Sequence, residues 1–229
     1  DAYSIDLMVA DLEKLRQKWG IPKIALIGHS LGTIVELEYA ARYPQHVSRM
    51  ILAASAPNFP ATFDLVCDRL AKINAAAYAR AVAAAKDGGP KCNIYGDNVF
   101  EHGAGSFVHS NMFPNPGIEE AVNKADTAGG LHNSGQKISD VLIKNGLLRY
   151  RFEKPQRLTM PVLIIAGGED HQANVEPQRK LASELPNGRI LVYPGAGHFM
   201  WVEQPKRFAR DVVAFLNGSR VSATRTVAQ

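Results

Sequence analysis

The sequence predicts an α/β fold built on a parallel sheet. Three observations carry that prediction. Four short apolar runs are each closed by turn residues, helical stripes stand before or between them, and one serine lies where a strand turns at once into a helix. Strands alternating with helices leave the faces of a parallel sheet covered, so the strands themselves read as continuous apolar runs.

The runs are residues 24–27 leading into Gly28, 49–54 leading into Pro57, 162–166 leading into Gly167 and Gly168, and 189–192 leading into Pro194 and Gly195. Ile5, Met8, Val9, Leu12 and Leu15 repeat at the spacing of one helix face, which Trp19, Gly20, Ile21 and Pro22 end. Residues 31–42 predict a second helix stopped at Tyr43 and Pro44, and residues 177–185 a third ended by Pro186, Asn187 and Gly188. Residues 205–216 predict a fourth, with proline at its start, Phe208, Val212 and Phe215 on one stripe, and Asn217 and Gly218 as its stop.

The alternation breaks between Pro57 and Pro161, about 100 residues, where an ordinary connection runs to a handful. Residues 62–86 are alanine-rich and predict one helix, stopped at Asp87, Gly88, Gly89 and Pro90; residues 91–116 predict irregular chain; 118–127 and 138–150 predict helices. The expected organisation is a core from residues 1–57 and 158–217, a mainly helical cap over the strand ends from 58–157, and a flexible tail at 218–229.

Composition excludes several classes. Of 229 residues, 46% are hydrophobic and 21% charged, ordinary values for a folded chain. The net charge of +4 includes Arg220 and Arg225 in an acid-free tail, which leaves the body too little positive charge for a nucleic-acid surface. No apolar run approaches the roughly 18–20 residues of a membrane span. No phosphate-cradling, H-E-x-x-H or C-x-x-C motif is present, so neither metal nor cofactor is expected. Cys67 and Cys92 flank the Gly88–Gly89–Pro90 break; they could clamp two cap elements or be two buried thiols, and the balance favours thiols.

The chemistry centres on Gly28–His29–Ser30–Leu31–Gly32. A strand that turns directly into a helix forces the middle residue into a strained backbone, which holds its side chain clear of the sheet. The flanking glycines are expected because strand and helix approach there too closely for a Cβ. Ser30 is the candidate nucleophile, and the N–H of Leu31 at the helix start the candidate oxyanion donor. A serine needs a base, itself oriented by a carboxylate. His198 follows the last strand in a glycine-rich loop, at the edge where parallel α/β sheets place their sites. His29 is expected to point away from Ser30 and to pack, His46 lies at the opposite end of the sheet, His102, His109 and His132 fall in the cap, and His171 is the rival base. Asp170, after the strand at 162–166, is the candidate acid, with Glu169 as the register alternative. The order Ser30, Asp170, His198 is that of the elbow enzymes.

On these residues the chain resembles the α/β-hydrolase superfamily, over residues 1–58 and 160–216. The run Gly197–His198–Phe199–Met200–Trp201–Val202–Glu203–Gln204–Pro205 is similar to that family's histidine loop, and Pro161–Val162–Leu163–Ile164–Ile165–Ala166–Gly167 to its acid-bearing strand. The resemblance implies a serine hydrolase of a small-molecule ester, thioester or amide, acting through an acyl-enzyme. Ser30 argues against the dehalogenases and epoxide hydrolases, which carry aspartate at the elbow. A proline-iminopeptidase-like aminopeptidase is an alternative, though the elbow of those enzymes usually reads Gly-Gly-Ser-Trp-Gly. It would need cap carboxylates for the substrate amine, for which Glu101, Glu119, Glu120 and Asp126 are candidates. Lys144, Arg149, Arg151, Lys154 and Arg157 form a basic stretch that reads as a solvated cap exit. A non-catalytic ligand-binding protein of the same fold is the other alternative.

The strand at 24–27 is apolar on both faces and so is expected to need a neighbour on each side. In the superfamily the strands that pair with it, and the loop giving the second oxyanion donor, precede the first helix found here. The expectation is therefore a C-terminal half-sheet completed by a separate N-terminal polypeptide, with compartment and substrate contacts left open.

Overall fold

The computed structural model describes residues 3–95, 105–115, 117–129 and 135–218. Its sheet contains four parallel strands, β1 (Ile24–His29), β2 (Val47–Ala53), β3 (Val162–Gly167) and β4 (Gly188–Tyr193), in the spatial order β1-β2-β3-β4. Each predicted run is present; three are extended by one or two residues, and the run at 49–54 starts two residues earlier and ends at Ala53.

Sidedness follows from the two-residue repeat of a strand. Met50, Leu52, Val162 and Ile164 face one side, against Leu37 and Tyr39 of α2 (Gly32–Arg42) and Val9 of α1 (Ile5–Lys18). Ile51, Ala53, Leu163 and Ile165 face the other, against Phe215 and Phe208 of the C-terminal helix Pro205–Leu216. The β3 strand is buried at every position. The β1 strand is not. It lies at the sheet edge among the described strands, and Ile27 on it is 52% exposed. The start of α1 is set by Ser4, whose hydroxyl accepts the Leu7 N–H at 3.1 Å; Trp19 caps its end and Gly20 follows at φ 63°.

Between β2 and β3 the chain forms α3 (Phe59–Ile73), α4 (Ala75–Ala83), α5 (Gly105–Met112), α6 (Ile118–Ala128) and α7 (Gly135–Lys144). The two ends of this insertion run side by side: the Phe59 N–H donates to Tyr150 O at 3.0 Å and the Phe152 N–H to Pro57 O at 2.8 Å. Several expectations are corrected here. The single helix over 62–86 is two helices, because Asn74 ends α3 and its side chain caps α4 by accepting the Ala77 N–H. The stretch 91–116 is not wholly irregular, since it contains α5. The helix at 138–150 ends at Lys144, after which Gly146 at φ 97° starts a separate short turn, Leu147–Arg149. The cysteines are not thiols: Cys67 of α3 and Cys92 are joined in a disulfide, packed with Phe63, Val66 and Phe107. The spacing of two cysteines gives no sign of pairing. What brings them together is the turn at residues 84–90, which folds the chain after α4 back onto α3.

After β3 come α8 (Val175–Glu184), then β4, a one-turn helix α9 (Met200–Glu203) and α10 (Pro205–Leu216). The tail beyond residue 218 lies outside the described residues.

Candidate active site

The turn after β1 has the strained form its sequence predicts. Ser30 adopts φ 51°, left-handed and unfavourable for a residue with a Cβ. Three bonds hold it there: the Ser30 N–H donates to Ala53 O at 2.9 Å, and Ser30 O accepts from the Thr33 hydroxyl at 2.6 Å and the Thr33 N–H at 3.0 Å. The glycines differ from expectation. A Cβ on Gly28 would collide with the carboxyl of Glu36, a side chain of α2, whereas one on Gly32 would meet nothing within 4 Å. Close approach therefore explains only the first. Glu36 fills the room that Gly28 leaves, and its Oε2 has no hydrogen-bond partner. Burial pushes its pKa up to about 9, so the side chain is a neutral acid at pH 7.

Facing the turn, His198 Nδ1 and Asp170 Oδ2 are 2.8 Å apart and fully enclosed. The other Asp170 oxygen accepts the N–H groups of Gln172 and Ala173 at 2.9 and 2.8 Å, which orients the carboxylate. A carboxylate oxygen accepts, so His198 Nδ1 is the donor in this pair. The loops bearing the two residues interlock, because a side chain on Gly167 would strike the backbone of Ala196 and Gly197. The end of α5 pins both, with Asn111 O accepting the His171 N–H at 2.9 Å and Met112 O the His198 N–H at 3.0 Å. Glu203 holds the histidine loop from below by accepting the Gly197 N–H at 2.7 Å.

His29 does not border the cavity that Ser30 lines, and it supports His198. Its Nε2 donates to His198 O at 3.1 Å, its ring lies 4.6 Å from the His198 ring, and Trp201 packs edge-on at 4.4 Å. Burial, and then the neighbouring His198, hold its pKa well below the ordinary histidine value.

Ser30, Leu31 and His198 border one cavity of about 120 Å³. Among the described residues no hydrogen bond joins the Ser30 hydroxyl to the His198 ring. The remaining walls are mostly apolar, Ala56, Phe59, Phe63, Ile143, Leu147 and Ala173, with Tyr95, Ser139 and Gln172 as polar members. No carboxylate lines it among the described residues.

The rival residues lie elsewhere. Glu169 is exposed, and its N–H donates to Ala196 O. His46 faces Glu13 at 3.2 Å and stacks on Tyr43. Glu119 and Glu120 are on α6 and do not reach the cavity. Glu101, His102 and His132 lie outside the described residues, as do the side chains of His109 and Asp126. The basic stretch does not line this cavity; Arg149 and Arg151 are spent on the carbonyls of Asp87 and Gly88, and Lys154 on Glu38. Among the described residues no cluster of metal-ligating side chains occurs, and no helix is long and apolar enough to cross a membrane.

A parallel four-stranded α/β sheet with a serine on a strained strand-to-helix turn, facing a buried His–Asp pair, is the arrangement of a hydrolase core. The chain belongs to the alpha/beta hydrolase fold family, whose profile matches residues 1–205. It is 25% identical over 221 residues to a Bacillus subtilis protein provisionally named 2-succinyl-6-hydroxy-2,4-cyclohexadiene-1-carboxylate synthase, covering 93% of this chain and 73% of that protein. It resembles the crystal structure of a proline iminopeptidase-related protein from Thermus thermophilus, with TM-score 0.67 and 24% identity over 94% of this chain and 71% of that one. An esterase from Exiguobacterium antarcticum matches with TM-score 0.63 and 18% identity, over 95% and 75% of the two chains. The names of these proteins differ, so the reaction has to be argued from the site.

Proposed function

We propose that this chain is a serine hydrolase that cleaves a carboxylic ester, thioester or amide of a small acyl group through an acyl-enzyme. The observation that carries the reading is the buried 2.8 Å pair of His198 Nδ1 and Asp170 Oδ2, whose His198 borders the same cavity as the strained Ser30. The Ser30 hydroxyl attacks the carbonyl while His198 Nε2 takes its proton, and Asp170 keeps the imidazole in the tautomer able to do so. The Leu31 N–H, at the start of α2, supports the oxyanion together with the helix dipole. His198 then returns the proton to the departing alcohol, thiol or amine, and water, deprotonated by the same imidazole, releases the acid.

The α3–α7 insertion acts as the cap that shapes substrate choice, since it supplies Phe59, Phe63, Ile143 and Leu147 to the cavity wall. The apolar side chains that line the described part of that wall favour an uncharged acyl group.

A fluorophosphonate probe followed by peptide mapping tests the proposal. Labelling confined to Ser30 and abolished in His198→Ala is expected; an unlabelled Ser30 in folded protein would refute it.

A further inference from the structure

Resting on the serine-hydrolase reading, we infer that Asn115, in the insertion between β2 and β3, is a positioning residue for the base His198. The core and the insertion share the backbone of the histidine loop between them. From the core side, Gln204 Nε2 donates to Pro194 O at 2.7 Å and the Glu169 N–H to Ala196 O at 2.9 Å. From the insertion, Met112 O accepts the His198 N–H at 3.0 Å, and Asn115 Nδ2 donates to Gly195 O at 3.0 Å and to Glu203 Oε1 at 2.8 Å. Glu203 completes the link, because its other oxygen accepts the Gly197 N–H at 2.7 Å. One carboxylate is thus held by Asn115 and itself holds the residue before the base.

The surroundings make this a tight joint. A Cβ on Gly197 would strike Pro114 and Met112 O, so the segment and the loop meet at backbone distance. Phe113 stacks on Phe199, the residue after the base, with ring centroids 4.9 Å apart and planes 5° apart. Asn115 is itself exposed, yet its bond to Glu203 is charge-assisted and so stronger than one between neutral groups. Neither Asn115 nor Glu203 is among the described residues that border the cavity. Their effect therefore reaches the chemistry through the placement of His198, where a shift of about 1 Å costs on the order of a hundredfold in rate. Binding of the acyl group to the cavity wall is left alone.

Hydrolysis of para-nitrophenyl butyrate, read beside the rate of fluorophosphonate labelling at Ser30, tests the inference. Asn115→Ala removes both bonds and should lower kcat about tenfold or more with KM within about twofold. Asn115→Asp sets a second carboxylate against Glu203 and Gly195 O, and should lower kcat further than Asn115→Ala. Glu203→Gln offers one acceptor where two are needed, so it loses one of its two bonds and part of the rate. The double variant Asn115→Asp/Glu203→Gln reverses the donor: the new amide gives to the new carboxylate, and its oxygen keeps the Gly197 N–H. It should regain about fivefold or more over Asn115→Asp, a rescue that a merely structural loss at position 115 would not show. The labelling rate of Ser30, which needs the same base, should follow the same order. Should the Glu203→Gln proteins fail to fold, the two Asn115 variants still decide. An unchanged kcat and labelling rate in both Asn115 variants, a rise in KM with kcat kept, or a double variant no better than Asn115→Asp overturns the inference. If any of these occurs while Ser30 of the wild type is labelled, the serine-hydrolase reading stands and only the positioning role fails. An unlabelled Ser30 in folded wild type overturns both.

Discussion

The Ser55 N–H donates to Gln178 Oε1 at 3.1 Å, inside the protein and across 123 residues of chain. Gln178 Nε2 in turn donates to Ala173 O at 2.6 Å, and the Ala173 N–H donates to Asp170. On its other side the Ser55 hydroxyl donates to Thr33 Oγ1 at 3.0 Å, and Thr33 donates to Ser30 O. One chain of hydrogen bonds therefore runs from the backbone of Ser30 to the carboxylate of Asp170, through Thr33, Ser55 and Gln178, each with no exposed surface. Buried polar groups in such a chain are costly to leave unpaired and hold one another in register when all are satisfied.

Gln178→Leu removes the middle link and strands the Ser55 N–H and Ala173 O. Stability should fall by about 1–3 kcal/mol, read from urea unfolding. Gln178 does not line the cavity, so the loss in ester hydrolysis should appear in kcat with KM little changed. A rise in KM alone would show that the residue shapes the cavity instead.

Asp170→Asn separates orientation from folding. The asparagine oxygen still accepts the Gln172 and Ala173 N–H groups, so the loop keeps its shape. Its NH2 then faces His198 Nδ1, which must accept, and the proton moves to Nε2, where a base is needed. The expected fall in kcat is about 10⁴-fold with the melting temperature little changed. Glu169→Gln, at the exposed neighbour, should leave both unaltered. Steady-state kinetics on one para-nitrophenyl ester decides.

The order of these residues along the chain was legible because each follows an apolar strand. Ser30, Asp170 and His198 lie in the turns after β1, β3 and β4, and a parallel sheet brings those turns to one edge. Register alone separates Asp170 from Glu169 in the sequence; in the structure the carboxyl paired with His198 is that of Asp170. The supporting residues were hidden. Gln178 is a polar residue in a helix with no local motif, and its partner Ser55 is 123 residues away. Glu203 and Met112 act on the histidine loop from α9 and α5, and α5 itself was masked by Gly, Asn and Pro in its surroundings. Gly32 matches the elbow pattern without needing it, since a Cβ there would meet nothing within 4 Å. Pattern rules read strand ends well; they do not read which side chains the tertiary fold brings beneath them.

Glu36 should make the protein less stable as pH rises. Its folded pKa of about 9 exceeds the ordinary 4.5, so the folded state holds a proton that the unfolded state has released. The penalty is absent below about pH 4.5, grows through neutrality and levels off above pH 9. Glu36→Gln keeps the shape and removes the ionisation. The variant should match the wild type near pH 4 and exceed it at pH 7 by on the order of 1–3 kcal/mol. Unfolding midpoints across pH measure this, and parallel curves for the two proteins would count against it.

Reduction of the Cys67–Cys92 bridge should loosen the substrate cavity before it touches the His–Asp pair. The bridge joins α3, which carries Phe59 and Phe63, to the segment that delivers Tyr95, and all three side chains line the cavity. Asp170 and His198 belong to the loops after β3 and β4, away from it. Closing a loop of 25 residues contributes about 3 kcal/mol by limiting the unfolded chain. Denatured, unreduced protein should therefore show no free thiol by Ellman titration, and Cys67→Ser/Cys92→Ser should unfold at lower urea. In the folded variant KM for an acyl ester should rise more than kcat falls, because the wall formed by Tyr95, Phe59 and Phe63 loses its clamp while His198 and Asp170 keep theirs. Two titrating thiols in the unreduced protein would remove the premise. An equal loss in kcat with KM unchanged would place the effect of the bridge on the His–Asp pair rather than on the wall.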